Sequence, residues 1–183
     1  MTKKALVLLA EGFEEVEAIT PVDYLRRAGI EVTIAAVGLN IMVKGARGIS
    51  ILADTSLSEP RSNSWDAVVI PGGMPGAANI AASKEAGVFI KEMAAGGKMV
   101  CAICASPAVV LTPLGLLAGK QFTCYPGMEA KVNNGIWLHE QVVRDGNIIT
   151  SRGAGTAGTF AIAIISAMLD EAAGKKIAEA VLL

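Results

Sequence analysis

The sequence is poor in the residues that build most metal centres and catalytic triads: it has one histidine, His139, and three cysteines among 183 residues. A structural zinc site needs four ligands, and no second cysteine pair or histidine cluster completes a set around Cys101 and Cys104. Three is an odd count without framework spacing. That argues against structural disulfides and leaves Cys101, Cys104 and Cys124 as free thiols. Charge is scarce and balanced, with 16 basic and 17 acidic residues and a net charge of −1. No basic run exceeds two residues, so bulk charge predicts no nucleic-acid or anionic-membrane partner. Long apolar runs are missing too. Residues 5–10 are too few for a signal-peptide core, and residues 160–169 reach about half-way across a bilayer. The expectation is a cytoplasmic chain without a membrane span.

What is abundant is apolar: 52% of residues are hydrophobic and 18% charged. Such a balance suits strands covered on both faces. Short β-rich runs at 5–10, 30–37, 67–70 and 98–103 alternate with helical patterns at 14–28, 84–95, 156–169 and 175–182. A further helix is expected to begin at 105–111. Residues 41–43 and 49–52 read as a small hairpin. A second one, at 142–144 and 147–150, turns at Asp145-Gly146. Strands alternating with helices predict an α/β fold with a mainly parallel sheet and helices on both faces. No linker or repeat divides the chain, so residues 1–183 read as one domain. Ligands of such sheets bind beyond the carboxyl ends of the strands. That selects the loops 11–14, 71–76, 104–107 and 151–155.

Cys104 stands where an apolar strand gives way to Ala105-Ser-Pro-Ala108 and a helix, the arrangement of a nucleophile elbow without its Gly-x-Ser-x-Gly spelling. A helix start beside the sulfur favours thiolate, and the small residues after it let backbone N–H groups approach an oxyanion. Free cysteines are more often inert buried thiols, and position alone leaves both readings open. Cys101-x-x-Cys104 also spells a dithiol motif, but Cys101 lies inside the strand, where its side chain should be packed. Pro71-Gly-Gly73 lets backbone approach a ligand closely, yet the segment lacks the lysine of a phosphate loop. No nucleotide cofactor is supported. Glu11, Glu14, Glu15 and Glu17 open the first helix. Helical spacing puts Glu14 near the centre of its apolar stripe and Glu15 and Glu17 on opposite flanks. Pro21 predicts a kink or break in that helix.

Six segments in order resemble one family. They are Ala5-Leu-Val-Leu-Leu-Ala-Glu-Gly-Phe-Glu-Glu-Val-Glu17, Pro21-Val-Asp23, Arg26-Arg-Ala-Gly-Ile30, Val69-Ile-Pro-Gly-Gly73, Ala102-Ile-Cys-Ala-Ser-Pro107 and Thr150-Ser-Arg-Gly-Ala-Gly-Thr156. They are similar to the ThiJ/PfpI superfamily, in the branch containing the Parkinson-disease protein deglycase and bacterial ThiJ-type proteins. The resemblance implies a flavodoxin-like three-layer sandwich, a homodimer, no cofactor, and a reactive cysteine on a strained elbow. It assigns Cys104 as nucleophile and Glu17 as the carboxyl group that hydrogen-bonds the thiolate. Gly72, Gly73 and Ala105 match positions whose N–H groups face the sulfur or an oxyanion. Arg47 matches an arginine near the site and the dimer interface. Burial should keep Glu17 neutral, and the helix terminus and donated hydrogen bonds should lower the Cys104 pKa.

Two departures stand out. Tyr125, in Thr123-Cys-Tyr-Pro126, occupies the place where much of this branch has histidine, and Ala154 stands where relatives often carry proline. A phenol is a poor base at neutral pH. His139 reads as an exposed loop residue, so a Cys-His triad is unsupported. The implied activity is glyoxalase or deglycase chemistry on reactive carbonyls or glycated adducts. The alternative is an oxidative-stress sensor or chaperone-like protein that uses a Cys104 sulfinate.

Overall fold

The computed structural model describes residues 2–59 and 65–183. Its main sheet is built, in chain order, from β1 (Lys4–Leu9), β2 (Glu31–Ala36), β5 (Thr55–Ser56), β6 (Ala67–Ile70), β7 (Met99–Ile103), β10 (Val142–Asp145) and β11 (Ile148–Ser151). They lie in the order β10-β11-β7-β6-β1-β2-β5, and every pairing is parallel except that of β10 with β11. The antiparallel pair is the hairpin expected at Asp145-Gly146, with Gly146 at φ 63°. β3 (Met42–Lys44) and β4 (Ser50–Leu52) form the other expected hairpin, and β8 (Gln121–Phe122) pairs in parallel with β9 (Ile136–Trp137) apart from the main sheet.

Side-chain alternation along the strands divides the core in two. Ala5, Val7 and Leu9 of β1, Val69 of β6, and Cys101 and Ile103 of β7 face one side. There they pack with α1 (Glu15–Arg27), α4 (Ala157–Met168) and α5 (Glu171–Ala180), through Leu25, Phe160, Ile164 and Ile177. Leu6, Leu8, Val68, Ile70, Val100 and Ala102 face the other side. There they meet α2 (Gly76–Ala82) and α3 (Lys84–Ala95), through Ile80, Phe89 and Ile90. Strands buried on both faces explain why they read as unbroken apolar runs. The chain leaves β1 for β2 on one side and returns to β6 on the other, so the strand order reverses at β1/β6. The crevice beyond their carboxyl ends is where such a sheet holds its ligand.

Several local expectations change. Pro21 does not break α1, which runs unbroken through it. Proline has no N–H, so the Glu17 carbonyl four residues earlier loses its intrahelical partner while packing keeps the helix whole. Glu14 is not on the helical stripe. It precedes the first helical residue in extended conformation, and Glu15 and Glu17 are the buried acids. The helix expected from residue 105 is only a widened turn, Pro107–Leu111. Pro113, which has no N–H to donate, and Gly115 at φ 76° end it. Helix α5 begins earlier than its apolar pattern suggests, because the Asp170 side chain accepts from the Ala173 N–H at 2.8 Å and caps it. Among the described residues no helix is long and apolar enough to cross a membrane.

Candidate active site at the carboxyl ends of three strands

Three strand exits converge: the loop from β1 into α1, Pro71-Gly-Gly73 after β6, and Cys104 after β7. Cys104 adopts φ 64°, a left-handed conformation rare for a residue with a side chain. Its backbone is clamped on both sides. The Cys104 N–H donates to the Ser151 carbonyl at 2.9 Å, and its carbonyl accepts from the Tyr125 N–H at 2.8 Å. Those bonds hold the turn that lifts the thiol out of the sheet. Cys101, two positions inside β7, is fully buried in the α1/α4 core, so the two sulfurs of Cys-x-x-Cys face different surroundings.

Glu17, 1% exposed, reaches the sulfur from the first turns of α1. Its Oε2 accepts from the Gly72 N–H at 2.9 Å, and the carboxyl group also takes hydrogen bonds from Cys104 and the Ala154 N–H. Gly73 and Ala105 point their N–H groups at the Cys104 sulfur. Gly72 therefore differs from its expected use: its N–H serves the carboxyl group, while Gly73 and Ala105 serve the sulfur. Both glycines are sterically required. A Cβ on Gly72 would lie 2.6 Å from the Cys104 Cβ and 2.7 Å from Glu17 Oε2. Gly73 is at φ 87°, and a Cβ there would strike the Gly12–Glu14 backbone.

The electrostatics belong to the pair. Burial lifts Glu17 from 4.5 to about 7, against hydrogen bonds from Cys104, Gly72 and Ala154 that pull it down; the charge of Glu14 adds to the lift. Burial, then the charge of Glu17 and its hydrogen bond, push the Cys104 thiol up to about 12, against the Gly73 and Ala105 amides. The expected lowering of the thiol thus fails wherever Glu17 is ionised, because burial and a neighbouring carboxylate outweigh two amides. Groups in such contact titrate together. Burial raises both groups, and where the pair holds a single proton it lies either as carboxylate with thiol or as carboxylic acid with thiolate.

The remaining expected residues ring this centre. Arg47 is largely exposed. Its Nε lies 3.8 Å from Glu14 Oε2, and its N–H donates to Glu15 Oε1 at 2.7 Å. It stands beside the acids of α1. Tyr125 is exposed at the rim, with its ring 3.5 Å from where a Gly153 Cβ would be; that same point is 3.8 Å from Glu17 Oε1. His139 is exposed and makes an edge contact with Trp137. Two contributors carried no sequence signal. The Ser106 hydroxyl, fully buried, donates to the Pro71 carbonyl at 2.6 Å, and the Ala154 N–H reaches Glu17.

Residues 3–167 match the DJ-1/PfpI family. Protein dj-1beta of Drosophila melanogaster is 45% identical over 178 residues, covering 96% of this chain and 92% of that protein. The crystal structure of Drosophila melanogaster DJ-1beta matches with a TM-score of 0.95 at 42% identity, over 100% of this chain and 99% of that one. Oxidized Toxoplasma gondii DJ-1 matches with a TM-score of 0.96 at 38% identity, over 99% and 98%. Glutathione-independent glyoxalase DJR-1.2 of Caenorhabditis elegans is 36% identical over 169 residues, 91% of this chain and 89% of that protein. Protein DJ-1 homolog B of Arabidopsis thaliana is 40% identical over 181 residues; they make up 99% of this chain, which spans only 41% of that protein's length. The flavodoxin-like sheet, the order of the motifs and these matches agree: the chain belongs to the DJ-1/PfpI family.

Proposed function

We propose that the protein is a cofactor-independent, cysteine-dependent enzyme acting on reactive carbonyls such as methylglyoxal and glyoxal. One observation carries this: Cys104, strained at φ 64°, has both the Glu17 carboxyl group and the Gly73 and Ala105 N–H groups at its sulfur. The thiolate attacks the aldehyde carbon, and the two amides hold the resulting oxyanion. Protonation of that oxygen by Glu17 gives a hemithioacetal. The Glu17 carboxylate then takes the proton from the carbon bearing sulfur and delivers it to the neighbouring carbon, while the hydroxyl proton of the hemithioacetal passes to the neighbouring carbonyl oxygen, giving an α-hydroxy thioester. Water hydrolyses the thioester, releasing the hydroxy acid and restoring the thiol. The sequence is redox-neutral and consumes one water. The relative named a glutathione-independent glyoxalase supports this reading. Chromatography of lactate formed from methylglyoxal tests it: turnover is lost in Cys104→Ser, and equal turnover by wild type and variant would overturn it.

A second reading is favoured by the contrast among the thiols: Cys104 is partly open, whereas Cys101 and Cys124 are 0% and 1% exposed. Two successive peroxide molecules, each releasing one water, would convert the Cys104 thiolate to sulfenate and then sulfinate. The role would then be sensing rather than turnover.

The working unit is a homodimer. Val16 and Ile19 on α1 and Ile41, Met42, Ile49 and Leu52 on the adjoining β3–β4 hairpin are exposed apolar side chains. The hairpin is fixed to the start of α1 and the loop before it by the Gly12–Lys44, Ala46–Phe13 and Arg47–Glu15 hydrogen bonds. A second copy covers this face. Sedimentation should report the dimer, and Leu52→Glu should give monomer.

A further inference from the structure

We infer that Asn134 is a self-modification site: the fold leaves its side-chain amide free to cyclise onto the backbone and convert to aspartate or isoaspartate. Asn134-Gly135 is the only Asn-Gly pair in the sequence. Glycine has no Cβ to obstruct attack by its own nitrogen, and its backbone reaches the cyclising geometry easily. Both reacting groups are free. Asn134 is exposed, and its side chain has no hydrogen-bond partner among the described residues. The Gly135 N–H donates to no backbone carbonyl among them, although the Asn134 carbonyl and the Ile136 N–H on either side are both bonded. A hollow of about 210 Å³, lined in part by Thr112, Asn133, Asn134 and Gly135, brings water to the pair. Packing also keeps the glycine in place: a Cβ on Gly135 would lie 2.7 Å from the Phe122 ring. The residue that makes the bond labile is therefore required by the fold.

Comparable residues are held. The Asn147 side chain donates to the Lys98 carbonyl at 2.9 Å and the Ala94 carbonyl at 3.3 Å, and that of Asn79 donates to the Glu11 carbonyl at 2.8 Å. Each precedes an isoleucine, whose branched side chain crowds the following nitrogen. Asp145-Gly146 has the right spelling for the same cyclisation, but Lys120 at 2.9 Å and the Gln121 N–H at 3.0 Å hold the Asp145 carboxylate. At Asn134 the deprotonated Gly135 nitrogen attacks the side-chain carbonyl carbon. The amide C–N bond breaks, ammonia leaves with the transferred proton, and a succinimide closes. Water opens this ring at either carbonyl, so the net change consumes one water and releases one ammonia. Isoaspartate adds a carbon to the main chain. That displaces the Asn134 carbonyl from the Gly119 N–H, now at 2.7 Å, and the Ile136 N–H from the Lys120 carbonyl, now at 2.8 Å. These bonds flank the β8–β9 pair, and β8 leads within three residues to Tyr125, whose N–H clamps the Cys104 carbonyl.

The test is incubation of the full chain in mildly alkaline buffer at physiological temperature, followed by trypsin and mass spectrometry. Cleavage after Lys131 and Arg144 isolates residues 132–144 with Asn134, and cleavage after Arg144 and Arg152 isolates residues 145–152 with Asp145-Gly146 and Asn147 as an internal control. A synthetic peptide of residues 132–144 sets the time needed for conversion of the free segment. Over that time the 132–144 peptide from the protein should lose its parent peak and gain an aspartyl and an isoaspartyl product, with fragment ions placing the change at Asn134. The 145–152 peptide should stay a single parent peak. Asn134→Gln, which must close a larger ring, should keep its parent peak. A wild-type parent peak that persists, a change placed at Asn133, or equal loss from both tryptic peptides overturns the inference. Amide hydrogen exchange of the converted protein should show protection lost at Gly119 and Ile136; unchanged protection would overturn the link to the β8–β9 pair. Neither measurement uses a carbonyl substrate or the Cys104 thiol, so the outcome is independent of the proposed enzymatic function.

Discussion

Ser106 donates its buried hydroxyl to the Pro71 carbonyl at 2.6 Å and so joins the turn that carries Cys104 to the turn that carries Gly72 and Gly73. The sulfur follows β7 and the Gly73 amide that faces it follows β6, and this bond ties the two turns together. Ser106→Ala strands a buried carbonyl. It should cost about 1–3 kcal/mol in urea unfolding and lower glyoxal turnover. Unchanged stability would show that the two turns hold together without it.

Gly72→Ala is the sharper steric test. Its Cβ would fall 2.6 Å from the Cys104 Cβ and 3.0 Å from the Ile103 carbonyl oxygen, both held by the backbone. The variant should lose roughly 1–3 kcal/mol and most Cys104 alkylation. Wild-type alkylation in a folded Gly72→Ala protein would contradict the close approach of the two turns.

Glu17 makes stability depend on pH in a direction opposite to that of an ordinary surface acid. Its folded pKa lies above its unfolded one, so folding favours the protonated form. The contribution is full below about 4.5 and is lost as pH rises through about 7. Relative to Glu17→Gln, which stays neutral, the wild-type protein should lose about 3 kcal/mol across that window. Parallel pH–stability curves for the two proteins would contradict the burial account.

Tyr125 stands exposed at the rim, beside Gly153 and close to Glu17. Tyr125→His supplies a base and should raise methylglyoxal turnover by about tenfold or more, with a bell-shaped pH profile. An unchanged rate and profile would remove this position from the chemistry.

The strands, their parallel pairing and the long helices were legible because burial on both faces leaves continuous apolar runs, and helices covering a sheet keep their 3.6-residue stripes. Cys104 and Pro71-Gly-Gly73 were legible as strand exits. Choosing Glu17 among four acids was not possible from spacing alone. Glu14 adopts extended backbone ahead of the helix, so periodicity misplaces it, and Glu15 turns instead to the Arg47 and Ile49 N–H groups. Ser106 and Ala154 were invisible as partners because they act across 35 and 137 positions of chain, through a hydroxyl and a backbone amide that no pattern encodes. Helix α2 escaped because Gly-Ala-Ala-Asn-Ile-Ala-Ala offers too few large apolar residues to mark a face.

In the proposed mechanism Cys104 and Glu17 share protons as one unit. The most direct measurement is the pH dependence of Cys104 alkylation in the wild-type protein. A first rise centred near pH 7, where the pair loses its first proton, is the predicted result. A single rise centred at about 8.5 or above, the range of an independent thiol, would contradict it.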